Sequence, residues 1–137
     1  MVVHIGESLI DFLPESSDPD ILNYHGVPGG SPLNCAVANA RLGTPAAFLG
    51  RVSNDHFGDV LFNWFQQNGV STRFIVRTSQ NTTLAMVSRS TEGDAQYSFY
   101  FENTAGLCPE SSDFPALPPE VQALQLGSIS LIQKPGA

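Results

Sequence analysis

Val27-Pro28-Gly29-Gly30-Ser31-Pro32-Leu33-Asn34, followed at once by Cys35-Ala36-Val37-Ala38-Asn39-Ala40 and then Arg41-Leu42-Gly43, is the stretch around which this chain is organised. Paired glycines admit backbone angles and close approaches that a Cβ forbids. Pro32 suits the first turn of a helix, where a missing N–H costs nothing, and Ser31 before it reads as the N-cap. The small-residue run predicts a helix lying tight against a sheet, ended by Gly43 at the C′ position. A helix opened by glycines presents free N–H groups to an oxygen-rich molecule, and Asn34 adds both a donor and an acceptor. The same residues also suit a tight turn that merely starts a helix, and the motif alone leaves both readings open.

Upstream, Val2-Val3-His4-Ile5-Gly6 is a short apolar run ending at glycine, which suits a buried strand of a parallel sheet. Glu7 to Leu13 continues extended, with Asp11 as a carboxylate among apolar neighbours. Such a group is either satisfied within the protein or binds substrate hydroxyls. Pro14 to Asp20 reads as a loop, and Ile21 to Gly26 as a second short strand pairing with residues 9–13.

Downstream, Ala46 to Val52 predicts another buried strand. Asp55 caps the next helix, which carries Phe57, Val60, Leu61, Trp64 and Phe65 on one face as core packing. Gly69 closes it, and Phe74-Ile75-Val76 gives a further strand. Strand–helix–strand–helix–strand implies a parallel sheet with helices on its faces. Thr82 to Ser88 and Gln96 to Phe101 then flank the polar turn Thr91-Glu92-Gly93-Asp94, predicting an inserted β-hairpin. Its alternation puts Tyr97, Phe99 and Phe101 on one face and Tyr100 on the other. Asn103 to Phe114 reads as a loop, Pro118 to Leu124 as a short helix entered through prolines, and Leu126 to Ile132 as a last buried strand.

The 137 residues are the size of one domain. Six basic against thirteen acidic residues leave a formal charge of −7, which argues against nucleic acid or an anionic membrane as partner. No basic leader or long apolar run opens the sequence, so neither a signal peptide nor a membrane span is expected. Cys35 in a helix and Cys108 in a loop make no metal spacing and suit reduced thiols in the cytoplasm. In that setting Asn81-Thr82-Thr83 is a coincidental glycosylation sequon.

Taken together, Gly6…Asp11, Gly29-Gly30-x-x-x-Asn34-x-Ala36, Leu42-Gly43, Gly50-x-Val52-x-x-Asp55-x-Phe57-Gly58, Asn68-Gly69-Val70 and Thr82 to Val87 resemble the ribokinase (PfkB) family of carbohydrate kinases over essentially the whole chain. The closing Leu126-Gly127-Ser128-Ile129-Ser130-Leu131…Pro135-Gly136-Ala137 most resembles the bacterial fructokinase branch. The resemblance implies an α/β fold: the N-terminal half of a three-layer α/β/α Rossmann-like core. A small β-sheet lid, from about 8–26 and 82–102, is inserted into it. It implies transfer of the γ-phosphoryl group of ATP, with Mg2+, to a primary sugar hydroxyl. Asp11 and Asn34 would hold sugar hydroxyls, and Gly29 and Gly30 would let the sugar approach the backbone. Ala85, Phe99 and Phe101 would be lid positions over it. A homodimer through the lid is a further arrangement the resemblance implies. Phe101 stands where kinases of acidic sugars carry arginine, which favours a neutral hexose over a carboxylate-bearing substrate. Ribose, another ketose or a nucleoside are the alternatives. Ser53 stands where the family often has glycine, a tolerated turn change.

Family members run to roughly twice this length. Their second half carries a Gly-Ala-Gly-Asp element that supplies the catalytic base and anion hole, along with the ATP pocket. None is present here. Glu92-Gly93-Asp94 is a hairpin turn by ordinary turn chemistry, and Thr104-Ala105-Gly106 lacks the aspartate. No catalytic residue is therefore expected in this chain, and phosphoryl transfer by these residues alone would lack a base. Two readings follow: the sugar-binding half of a kinase, or an inactive fragment that binds sugar or dimerises. A dinucleotide-binding domain is disfavoured, because its glycines would follow the first strand directly.

Overall fold

A computed structural model describes residues 1–15, 22–89, 94–106 and 111–133. Most of the expected loop after Pro14, Ile21, the turn residues Thr91 to Gly93, Cys108 and the closing Pro135-Gly136-Ala137 lie outside them. The strands are β1 (Val2–Ile5), β2 (Leu9–Pro14), β3 (Tyr24–Gly29), β4 (Ala46–Ser53), β5 (Ser71–Thr78), β6 (Leu84–Arg89), β7 (Ala95–Tyr100) and β8 (Ala123–Leu126). The helices are α1 (Ser31–Arg41) and α2 (His56–Gln67). No helix among the described residues is long and apolar enough to cross a membrane.

Two four-stranded sheets result, ordered β5-β4-β1-β8 and β3-β2-β6-β7. The first is wholly parallel, as the alternation of strands and helices predicts. The second is mixed: β2 pairs antiparallel with β3 and parallel with β6, and β6 pairs antiparallel with β7. Both helices pack on one face of the first sheet, where Phe48 and Val52 meet Leu33, Ala36, Val37, Leu61 and Phe65. Phe48 and Phe65 stack with centroids 4.5 Å apart. On the opposite face Val3, Ile5, Ala47 and Leu49 lie against Leu117 and Val121.

Successive residues of β2 face opposite ways. Ile10 belongs to the core between sheet and helices, with Phe12 and Leu84 against it, and Phe12 meets Phe57 of α2 edge-on at 5.7 Å. Leu9 and Asp11 point to the other side, into the cavity described below. Asp55 fastens the two sheets together. Its carboxylate caps α2 through Gly58 N–H at 2.7 Å and accepts from the Thr82 hydroxyl at 2.6 Å and the Thr82 N–H at 2.8 Å. A one-way relay closes the base of the β6–β7 hairpin. Gly106 N–H donates to the Thr83 hydroxyl at 3.2 Å and the Thr104 hydroxyl donates to the Phe101 carbonyl at 2.8 Å, so Thr83 must donate to Thr104 across 2.6 Å.

Four expectations are corrected. Gly30, not Ser31, is the N-cap of α1, with φ 106° and no side-chain cap. The second strand runs from Tyr24 to Gly29 rather than from Ile21 to Gly26, so the first glycine of the pair ends a strand. Pro118 to Leu124 is not helical. The Val121 N–H donates to Pro118 O in a turn, and Gln122 N–H donates to Met1 O at 3.0 Å, which draws Ala123 into register beside Val2. Leu126 to Ile132 is not a strand: β8 ends at Leu126, Ser128 takes φ 74°, and Ile129–Leu131 is a single 3-10 turn.

Candidate functional site

A cavity of about 440 Å3 lies where the two sheets meet the N-terminus of α1, within the usual range of small-molecule sites. Leu9 and Asp11 of β2 form one wall, and Tyr97 and Phe99 of β7 form the cover. Gly30, Ser31, Asn34, Cys35 and Ala38 line it from the start of α1, while Glu7, Ser128 and Ile129 complete it. Among the described residues no lysine or arginine lines it.

The chain geometry explains why these groups converge. Val27, Asp11, Ala85 and Phe99 occupy one register row across the second sheet, so all four project from the same face. Ala85 sits between Asp11 and Phe99 and is fully buried; it underlies the cavity rather than lining it. Tyr97, two residues from Phe99, stacks on it with centroids 5.8 Å apart.

Asp11 is the electrostatic centre. No donor among the described residues reaches its carboxylate, and burial pushes its pKa above the ordinary value. A half-buried carboxylate without a donor among the described residues is an acceptor available to a ligand hydroxyl. Gly29 stands beside it, and a Cβ built there would overlap the Asp11 carboxylate. The absence of a side chain at Gly29 therefore gives Asp11 its place. Gly30 turns the chain from β3 into α1 at a positive φ, and a Cβ there would meet the Glu7 carbonyl at 2.8 Å. Because Gly30 offers no side chain as a cap, the first-turn N–H groups of α1 are left for whatever enters the cavity.

Of the residues singled out in the sequence, Asp11, Gly30, Asn34 and Phe99 line this cavity. Gly29 and Ala85 stand immediately behind it. Phe101 lies past the end of β7 and lines a second cavity of about 450 Å3 with Asn81, Thr82, Leu84, Phe99, Tyr100, Glu102 and Thr104. Phe99 thus borders both cavities, while Phe101, beyond the end of the strand at Tyr100, borders the second. Glu7, Ser128 and Ile129 were not singled out. Glu7 falls at a strand junction, and the turn carrying Ser128 was hidden inside an apparent strand.

No lysine or arginine among the described residues lines either cavity. Among the described residues no group of three His, Cys, Asp or Glu side chains is placed to hold a metal ion.

Comparison with known proteins gives a consistent picture. The profile of the pfkB family carbohydrate kinases matches residues 1–135. A fructokinase of Rhizobium leguminosarum bv. trifolii is 35% identical over 135 residues, covering 98% of this chain and 41% of that protein. Among solved structures, fructokinase from Xylella fastidiosa with bound ATP aligns with a TM-score of 0.74 at 38% identity, over 83% of this chain and 37% of that one. An uncharacterized sugar kinase from Pyrococcus horikoshii in complex with ATP aligns with a TM-score of 0.87 at 27% identity, over 99% of this chain and 46% of that one. The chain spans less than half the length of the curated relatives it matches.

Proposed function

The chain belongs to the pfkB family of carbohydrate kinases, and from that premise we propose that the cavity at the start of α1 is the sugar site of an ATP-dependent, fructokinase-like phosphotransferase. One arrangement supports this above all: an unpaired, half-buried carboxylate at Asp11 faces Asn34 and an uncapped helix start, beneath the stacked rings of Tyr97 and Phe99. Acceptors and amides in that disposition read a neutral polyol, and an apolar cover keeps water out. The lack of a lining cation among the described residues favours a neutral sugar such as fructose, with ribose, another ketose or a nucleoside as alternatives. The second sheet acts as the lid. Asp11, Gly30, Asn34 and Phe99 contact the sugar, Gly29 and Ala85 shape the site from behind, and Phe101 borders the lid's other side. The phosphoryl donor would be ATP with Mg2+, and the 137 residues contain no Gly-Ala-Gly-Asp element. A cytoplasmic setting belongs to the same proposal.

Calorimetric titration of fructose and of ribose into the chain tests the substrate class. Fructose should bind more tightly, and absence of binding by any neutral sugar overturns the proposal. Gly29→Ala should weaken binding by about tenfold, because the new methyl displaces Asp11 and one charge-assisted bond is lost. Its melting temperature should hardly change, because a carboxylate can rotate away. Affinity unchanged in Gly29→Ala would count against a sugar contact at Asp11.

A second reading, a sugar-binding module that dimerises without catalysing, is favoured by one observation. Every residue of the edge strand β7 is exposed, including Tyr97, Phe99 and Tyr100, and such an edge invites pairing. Self-association through this strand should appear in sedimentation velocity and disappear in Tyr100→Lys. A strict monomer at high concentration excludes it.

A further inference from the structure

We infer that Glu7 is a positioning residue for sugar selection. It holds the turn after β8 so that Ser128 is presented to the cavity in a conformation the backbone would not otherwise keep. The inference rests on the sugar-site reading above and adds to it the wall that the sequence did not reveal.

Ser128 is the starting point. It lines the cavity with φ 74° and ψ −160°, a region that favours glycine and is held by other residues only when the surroundings fix it. Asn103 is the other described non-glycine residue with positive φ, and it does not line this cavity. Strain at a ligand wall has a use: it presets a group that would otherwise need ordering on binding.

The restraints are visible. The Ser130 hydroxyl donates to the Gly127 carbonyl at 2.9 Å, and Leu131 N–H donates to the Ser128 carbonyl at 3.1 Å. These close the turn on itself but do not fix it to the core. The tie to the core is Glu7, whose Oε2 accepts from Ser130 N–H at 3.4 Å across a separation of 123 residues. Both residues are only 1% exposed. Gly6 makes room for the contact, since a Cβ there would lie 2.8 Å from the Ser130 hydroxyl.

Glu7 has no other hydrogen bond among the described residues, although it borders the cavity. A buried carboxyl side chain is costly in an apolar setting. Leu or Met would fill the same space without that cost. A single acceptor bond to the turn carrying Ser128 gives Glu7 a task that those residues cannot perform. The turn it fixes supplies Ser128 and Ile129 to the cavity wall, so its shape bears on which sugar fits.

Three variants test this, read by sugar titration, melting temperature and the amide signal of Ser130. Glu7→Ala should weaken fructose binding by about tenfold, the loss of one buried hydrogen bond's worth of order, and should expose the Ser130 amide to faster hydrogen exchange. Glu7→Gln keeps a carbonyl acceptor in the same place and should restore both readouts to within about threefold of the parent. Ser128→Gly should raise the melting temperature by relieving the backbone while lowering affinity, because the wall is no longer preset. Wild-type affinity in both Glu7→Ala and Ser128→Gly overturns the inference. So does an equal loss in Glu7→Ala and Glu7→Gln, which would mean direct contact by the charge. If Glu7→Ala does not fold, Ser128→Gly decides between the outcomes. If the parent chain binds no sugar, the sugar-site reading has failed. The Ser130 exchange rates in Glu7→Ala and Glu7→Gln then still show whether Glu7 holds the turn.

Discussion

Asp11→Asn should weaken fructose binding by roughly tenfold or more and, in the same protein, raise the melting temperature of the ligand-free chain at neutral pH. A sugar hydroxyl bound to a carboxylate contributes about 1.5–3 kcal/mol, and the amide loses the charge that makes the bond strong. The stability gain follows from the sign of the proton linkage. Burial raises the Asp11 pKa in the folded chain, so its contribution to stability is complete below the unfolded value and is lost as pH rises through the folded one. At neutral pH the folded chain carries a half-buried carboxylate with no donor among the described residues, and asparagine removes that cost. The gain should shrink as pH is lowered into the carboxylate range. A carboxylate that merely pinned β2 to its neighbours would behave oppositely, and Asp11→Asn would then melt earlier. Paired sugar titrations and melting curves from pH 4 to pH 8 separate the two.

Asp55→Ala should destabilise the chain by about 3 kcal/mol and loosen the second sheet from the first. The cap on α2 is worth about 1 kcal/mol. The rest comes from Thr82, which is 5% exposed and would lose acceptors for both its N–H and its hydroxyl. Burial would raise the Asp55 pKa, but hydrogen bonds from Thr82, Gly58 and Ser53 outweigh it and hold the carboxyl below its ordinary value. That contribution is present above the unfolded pKa and is lost as pH falls through the folded one. The parent should therefore lose stability steeply in acid, and Asp55→Ala should show a shallower slope there. Denaturant midpoints at pH 7 and in acid measure both, and a variant as stable as the parent would show that the anchor carries nothing.

Local signals in the sequence were reliable where they were stereochemical. Gly43 and Gly69 end the two helices with φ 82° and 75°, as their positions predicted, and Asp55 caps α2 as its spacing predicted. Asp11 was legible because a carboxylate amid apolar residues requires a partner. The failures have a common cause: contacts distant in sequence decided the outcome. Pro118 and Pro119 resemble a helix entry, but Met1 accepts the Gln122 N–H and recruits the segment to the sheet. Leu126 to Ile132 has the apolar content of a buried strand, yet among the described residues β8 pairs with β1 alone, and Leu126, Leu131 and Ile132 are exposed. His4 read as one more strand residue. In the fold it is 1% exposed and bridges Asn39 of α1 and Gln125 of β8, each at 2.9 Å. Nothing in a lone strand histidine announces partners 35 and 121 positions away.

The most direct measurement follows the carboxyl carbon of Asp11 by NMR as pH is varied, with and without fructose. Free in the cavity, Asp11 should titrate above the ordinary aspartate value because burial is its dominant influence. Saturating fructose should move that titration to lower pH, since hydroxyls donated to the ionised form favour it. Affinity should correspondingly fall as pH drops through the ligand-free value. An Asp11 titration that fructose leaves where it was, while fructose demonstrably binds, would contradict the assignment of Asp11 as the carboxylate that reads the sugar.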